Sequence, residues 1–98
     1  MTPETAKALE DSIAHWKRMH RQPFGREIPS SDYCALCIMF YYDDCMGCPV
    51  NRRTGQTKCE GSPYWNAQTA WLTGDHRKWS KAAEAEIDFL ESLIEEKV

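Results

Sequence analysis

All five cysteines of the chain lie in its middle third, at spacings that suit metal ligation. Two Cys-x-x-Cys pairs, Cys34-Ala35-Leu36-Cys37 and Cys45-Met46-Gly47-Cys48, are followed by a single Cys59. A pair of this kind supplies two thiolates from one turn of chain, and a structural zinc ion takes four such ligands in a tetrahedron. The pattern therefore predicts a zinc site within residues 31–61. The candidate metal ligands are Cys34, Cys37, Cys45, Cys48 and Cys59.

The fifth cysteine leaves the ligand set and the cofactor open. Cys59 precedes a proline-initiated helix whose N–H groups favour a thiolate, so it competes with the second pair for a place in the site. A proline directly after a cysteine also occurs beside iron–sulfur clusters. A [4Fe–4S] cluster on Cys37, Cys45, Cys48 and Cys59 is therefore the alternative cofactor. Two disulfides would need an oxidising compartment, and five buried free thiols are the remaining interpretation.

Composition and motifs predict a single domain over residues 1–98 without enzymatic activity. A hydrophobic fraction of 42% and a charged fraction of 28% are ordinary for a globular protein. Residues 1–7 do not resemble a signal peptide, and the longest apolar run is far shorter than the ~20 residues of a membrane span. We therefore expect a cytoplasmic protein that does not enter membranes. No nucleophile elbow, Gly-rich phosphate loop or His-Glu-x-x-His motif occurs.

Helical periodicity predicts a long helix at each end of the chain, and these helices must position the cysteines. Thr2-Pro3 is a hydroxyl cap followed by proline at the first helical position, which predicts a helix over 3–21. Gly74 and Asp75 separate a preceding helix from the last one. The inward residues are expected to be Leu9, Ile13, Trp16 and His20 in the first helix and Trp79, Ala83, Ile87, Leu90 and Ile94 in the last. The polar side of the last helix is expected to carry Glu84, Glu86, Asp88, Glu91, Glu95 and Glu96.

The first Cys-x-x-Cys pair is predicted to lie on a short helix. A helix over 32–42, capped by Ser30 or Ser31, would place Cys34 and Cys37 on one face. The competing interpretation is a zinc-knuckle turn followed by a strand, because the apolar run that follows suits either state.

The rest of the middle is predicted to be a loop and a further helix. Residues 43–61 are rich in turn residues and are expected to be ordered by the metal. Ser62-Pro63 starts a helix over 63–73. Its buried residues are expected to be Thr69, Leu72 and either Tyr64 or Trp65. The predicted fold is thus small and all-α, with two long amphipathic helices and a cysteine-ligated metal-binding insert.

Several of these motifs, over residues 13–64, resemble small cysteine-rich accessory proteins encoded by tailed bacteriophages. The motifs are His15-Trp16, Cys34-Ala35-Leu36-Cys37, Cys45-Met46-Gly47-Cys48-Pro49-Val50, Thr54-Gly55, Cys59 and Ser62-Pro63-Tyr64. No activity is assigned to that family. The resemblance therefore implies a phage or prophage protein that acts inside the bacterial host, and it implies no reaction.

Three functions are consistent with the pattern, and the third is an iron–sulfur or redox protein built on the alternative cluster. The first is a zinc-stabilised protein that binds a host or phage protein through exposed aromatic side chains. The second is a nucleic-acid-binding zinc module, although the net charge of −3 gives no general affinity for polyanions. Candidate nucleic-acid or partner contacts are Arg52, Arg53, Lys58, Arg18 and Arg21. His15 is interpreted as a surface residue. The alternative is that His15 forms a hydrogen bond to the cysteine segment, residues 31–61.

Overall fold

In the computed structural model, residues 2–29, 34–40, 46–56, 59 and 61–94 are described, and every regular element among them is helical. The helices are α1 (Pro3–Arg21), α2 (Ala35–Phe40), α3 (Pro49–Thr54), α4 (Tyr64–Thr73) and α5 (His76–Ile94). The prediction of a small all-α fold is confirmed. Within the described residues, none of these helices has the length and apolar character needed to cross a membrane.

The two long helices begin where their capping residues place them. The Thr2 hydroxyl accepts a hydrogen bond from the Thr5 amide at 3.1 Å, and Pro3 follows at the first position of α1. The Asp75 carboxylate accepts a bond from the Lys78 amide at 3.0 Å at the start of α5. Each cap satisfies an amide that has no partner within its own helix. The two helices then pack against each other along their apolar faces.

A group of stacked aromatic rings joins α1, α4 and α5. Trp16 stacks on Trp79 with a centroid distance of 5.8 Å, and Trp71 meets Trp79 edge-on at 4.9 Å. Phe24, just after α1, adopts a left-handed backbone with φ of 59° and places its ring 4.8 Å from that of Trp71. Strain of this kind persists only where packing compensates for it. The prediction that Trp16 is a core residue is confirmed.

The predicted inward face of α4 is wrong in all but one residue. Tyr64 is buried as one of the two alternatives, but Thr69 is exposed and Leu72 is 77% exposed. The buried face instead carries Ala67 and Ala70, whose small side chains let α4 approach α5 closely. Because α4 is apolar on more than one side, its sequence pattern alone does not select the face that is buried.

The segment predicted to be loop contains a helix, α3 (Pro49–Thr54). Cys48 occupies the cap position, proline follows at the first helical position, and Gly55 ends the helix in a left-handed conformation with φ of 73°. This cap–proline–glycine order is the local signal that starts and stops the longer helices. The prediction for residues 43–61 is therefore wrong over α3.

His15 is buried, so its assignment to the surface is wrong. Its Nδ1 atom lies 2.7 Å from Oε1 of Glu27. Arg18 donates to the same carboxylate from Nε at 2.6 Å and from Nη2 at 2.9 Å. This arrangement attaches the connector after α1 to the side of that helix. Hydrogen bonding to Arg18 first, and then to His15, lowers the pKa of Glu27 to about 2.

Replacement of Glu27 by glutamine is expected to make the free energy of unfolding depend less on pH in acid. Because the folded-state pKa of Glu27 is depressed, its stabilisation is present above the unfolded value of about 4.5. That stabilisation is lost as the pH falls from there toward about 2. The carboxylate is about one-third exposed, so we expect a loss of about 1 kcal/mol at neutral pH.

The measurement is the free energy of unfolding in urea as a function of pH. The matched control is Asp11→Asn, because Asp11 forms an exposed ion pair with Lys7 at 3.4 Å on the same helix. The control should keep the wild-type slope in acid. A Glu27→Gln profile that runs parallel to the wild-type profile between about pH 4.5 and 2 would contradict the assignment.

Candidate metal centre

Four of the five cysteines converge on one cavity between α5, α1 and the segment that joins α1 to α4. The cavity measures about 20 Å³, which is room for a single water-sized particle. Its walls include Ser12 from α1 and Glu86 from α5. The cysteines that line it are Cys34, Cys37, Cys48 and Cys59. All four are free thiols. Cys45, the remaining candidate ligand, lies outside the described residues.

Helix α2 brings the first two thiols together. Cys34 directly precedes α2 and Cys37 lies one turn later, so both side chains lie on one face. The hydrogen bond from Cys34 by itself favours the Cys37 thiolate. Contact with Cys59, burial and the nearby Cys48 outweigh it and raise the pKa of Cys37 to about 12. Cys37 is therefore the thiol in contact with both Cys34 and Cys59.

Ser12 of α1 supports the first thiol pair. Its buried hydroxyl lies 3.7 Å from Sγ of Cys34 and accepts a hydrogen bond from the Leu36 amide at 3.3 Å. The hydrogen bond with Cys37, followed by burial, raises the pKa of Cys34 well above the ordinary value. The sequence analysis missed Ser12. Ser12 could have been recognised as a small polar residue on the apolar face of α1, between Leu9 and Ile13.

Cys59 reaches the cluster through a strained turn. Its φ of 60° lies in the left-handed region, which is unfavourable by about 1 kcal/mol or more for a side-chain-bearing residue. The Cys59 carbonyl accepts bonds from the Ser62 hydroxyl at 2.7 Å and from the Ser62 amide at 3.2 Å. This turn holds Cys59 ahead of α4, with its thiol in contact with Cys37.

Cys48 enters from α3 as a buried residue at the helix cap. Its carbonyl accepts the Arg52 amide at 2.9 Å, so the start of α3 fixes its backbone. The preceding Gly47 has a φ of 88°, and a side chain there would meet the Phe40 ring at 3.4 Å. That distance is an ordinary contact, so the positive φ is what favours glycine at this position.

Tyr64 at the start of α4 closes another side of the cavity. Its hydroxyl donates to the Pro29 carbonyl at 3.0 Å, and its ring meets Trp16 edge-on at 6.0 Å. Burial, with the neighbouring thiols as a second cause, raises the pKa of Tyr64 above its ordinary value. The residue therefore links the cysteine-lined cavity, the aromatic core and the connector after α1.

Glu86 is the second functional candidate that the sequence analysis missed. It was assigned to the polar side of α5, but the residue is only 2% exposed and lines the cavity. Burial, followed by the proximity of Cys34, raises the pKa of Glu86 to about 8. The burial of Glu86 could have been predicted from its spacing of three and four residues from apolar residues along α5. The buried residues at that spacing are Trp79, Ala83, Glu86, Leu90 and Leu93.

The donor atoms around the cavity fit an ion that prefers thiolates. Four sulfur atoms and one carboxyl group suit zinc far better than magnesium or calcium, which take oxygen ligands. Within the described ranges, no group of three or more His, Cys, Asp or Glu side chains stands in an arrangement that could already hold a metal ion. Binding would therefore require the thiols to draw closer together and to release their protons.

The basic candidates are distributed over separate helices. Arg18 of α1 is bound to Glu27, and Arg53 of α3 donates to the Ser92 hydroxyl of α5 at 3.3 Å. Arg21 and Arg52 are exposed on α1 and α3. Lys58 lies outside the described residues. Two of these arginines thus have partners within the chain.

Comparisons with known proteins give no relative from which a function could be transferred. No protein-family model, no curated protein and no solved structure matches the chain.

Proposed function

We propose that this protein is a small zinc-binding interaction protein without catalytic activity. Its metal centre would fix the cysteine segment on the α1–α5 scaffold and so shape a surface for another protein. As the resemblance to phage proteins implies, that partner would belong to the bacterial host or to the phage. The observation that supports the proposal is the convergence of four thiols, from three separate stretches of chain, on one small cavity.

A structural metal would supply the stability that this part of the chain lacks. Helices α2 and α3 have six residues each, and helices of that length are not stable in water without tertiary support. Zinc in small domains contributes about 10 kcal/mol or more of folding free energy. An ion bound by thiolates from α2, α3 and the turn before α4 would join all three to the scaffold.

The direct test is elemental analysis of the purified native protein, with an absorption spectrum of the same sample. One zinc per chain and no visible absorption is the expected result. Iron together with a broad visible band would replace zinc by the iron–sulfur alternative. Protein that contains no metal and gains no stability from added zinc would overturn the proposal.

Exposed apolar side chains around the cysteines are the proposed contact surface. Ile38 and Met39 of α2 are 65% and 41% exposed, and Met46 is 64% exposed. Gly47, which follows Met46 in the chain, lies beside the Phe40 ring at the end of α2. Exposed methionines adapt to varied partners, and grouped apolar side chains on a protein surface commonly mark binding sites.

Replacing Ile38 and Met46 together by serine is expected to weaken partner binding at least tenfold. Both side chains are largely exposed, so the melting temperature and zinc content should change little. The measurement is affinity capture from a bacterial lysate, followed by titration of the identified partner. Leu72→Ser is the matched control, because Leu72 is exposed on α4. Loss of binding in the control alone would move the contact surface to α4.

A further inference from the structure

Glu86 has an environment that the protein by itself does not satisfy. Among the described residues it is the one buried carboxyl group, and its Oε1 atom is fully enclosed without a hydrogen-bond partner. An enclosed polar atom without a partner is unfavourable, and more so when it is charged. A bound water molecule or ion is one explanation of such a group in a folded protein.

Among the described side chains that line the cavity, none supplies a positive charge to Glu86. The Ser12 hydroxyl is engaged with Cys34 and the Leu36 amide. The Tyr64 hydroxyl donates its proton to the Pro29 carbonyl. Among the described residues that line the cavity there is no lysine, arginine or histidine. Among the described residues, the Glu86 carboxyl group therefore shares the cavity with four thiols and with no cationic side chain.

The size and the donors of the cavity indicate the nature of the missing partner. A volume of about 20 Å³ admits one small particle, either a water molecule or a single ion. A water molecule would satisfy Oε1 while Glu86 and the thiols keep their protons, but it would not compensate a carboxylate or a thiolate. A divalent cation would compensate both, because buried charges are stable when they are paired or coordinate metals.

We propose that Oε1 of Glu86 is a ligand of the metal ion, so that the centre has thiolate and carboxylate ligands and α5 supplies one of them. This inference rests on the proposed zinc function. Zinc accepts carboxylate oxygen at about 2.0–2.2 Å and thiolate sulfur at about 2.3 Å. With Glu86 in place, three thiolates complete the tetrahedron.

Coordination of a metal ion would explain why an acidic residue, Glu86, lies among the buried residues of α5. Coordination from α5 would join the cysteine segment directly to the helix that packs against α1 and α4. Release of the ion would then remove the link between α5 and the cysteine segment. It would also remove the links among the cysteines of that segment. Metal occupancy would thereby control the attachment of the proposed contact surface.

X-ray absorption at the zinc edge of the wild-type protein tests the proposal without any mutation. The expected first shell has three sulfur atoms at about 2.3 Å and one oxygen atom at about 2.0–2.2 Å. Four sulfur atoms and no oxygen would overturn the assignment of Glu86 and leave the zinc centre intact. Protein that binds no zinc would instead overturn the proposed function.

Competition with a metal chelator measures the contribution of Glu86. Glu86→Gln is expected to lower zinc affinity at least tenfold, because a neutral amide is a poor substitute for a carboxylate ligand. Asp88→Asn is the matched control, since Asp88 is exposed on the same helix, and it should bind zinc as the wild type does. An oxygen atom that persists in Glu86→Gln with unchanged affinity would identify that atom as water and overturn the proposal.

Discussion

Replacing Cys37 with serine is expected to abolish tight zinc binding and to unfold the cysteine segment or the whole chain. Cys37 is in contact with both Cys34 and Cys59, so its loss removes the thiol that links α2 to the turn before α4. A structural zinc contributes about 10 kcal/mol or more in small domains. Entire domains are stable by only about 5–15 kcal/mol. The measurement is thermal unfolding followed by circular dichroism, with zinc and with chelator.

The comparison with metal-free protein is the control for this substitution. Serine is close to cysteine in size, so Cys37→Ser should change the melting temperature of the chelator-treated protein only slightly. The expected signature is therefore a large difference with zinc and a small one without it. Equal melting of both proteins in the presence of zinc would contradict a metal-centred structure.

Replacing Trp79 with alanine is expected to destabilise the protein by about 3–5 kcal/mol, with or without metal. Trp79 is fully buried and is the largest such side chain in the described chain. Its ring contacts those of Trp16, Trp71 and Phe24, so the substitution leaves a cavity where α1, α4 and α5 meet. Urea unfolding of the zinc-loaded protein measures the loss, because the metal is expected to supply much of the stability.

Two further variants test whether the loss of stability in Trp79→Ala comes from the buried position of this ring. Trp65→Ala removes a ring of the same size that is 42% exposed on α4, and should have a much smaller effect than Trp79→Ala. Trp79→Phe should have an intermediate effect, since the indole Nε1 of Trp79 has no hydrogen-bond partner to lose. Equal losses for Trp65→Ala and Trp79→Ala would contradict the position of Trp79 at the centre of the core.

The start of α1, the end of α4 and the start of α5 were predictable, because a capping residue contacts backbone groups only a few positions away. Thr2-Pro3, Gly74 and Asp75 act on amides and carbonyls within four residues of themselves. The bounds predicted for α1 are therefore those observed. The same logic applied to Cys48-Pro49 and Gly55 would have identified α3, so that helix was missed although its signal was present in the sequence.

The orientation of individual side chains was less predictable. From the sequence, Ile87 was predicted to lie in the inward stripe of α5 and Glu86 on its polar side. In the structure both residues are buried, because packing against α1 and the cysteine segment covers a wider face than one stripe. On α4 the alanines are buried and Leu72 is exposed, since close approach to α5 outweighs hydropathy there.

The sequence by itself determined the helical class, the caps of α1 and α5, and the position of Cys34 and Cys37 on one turn. These features depend on interactions between residues only a few positions apart. Only the tertiary structure decided that Cys48 and Cys59 join that pair, and that Ser12 and Glu86 face the same cavity. Those contacts connect residues far apart in the chain. They depend on how α1, α4 and α5 pack, which no local spacing encodes.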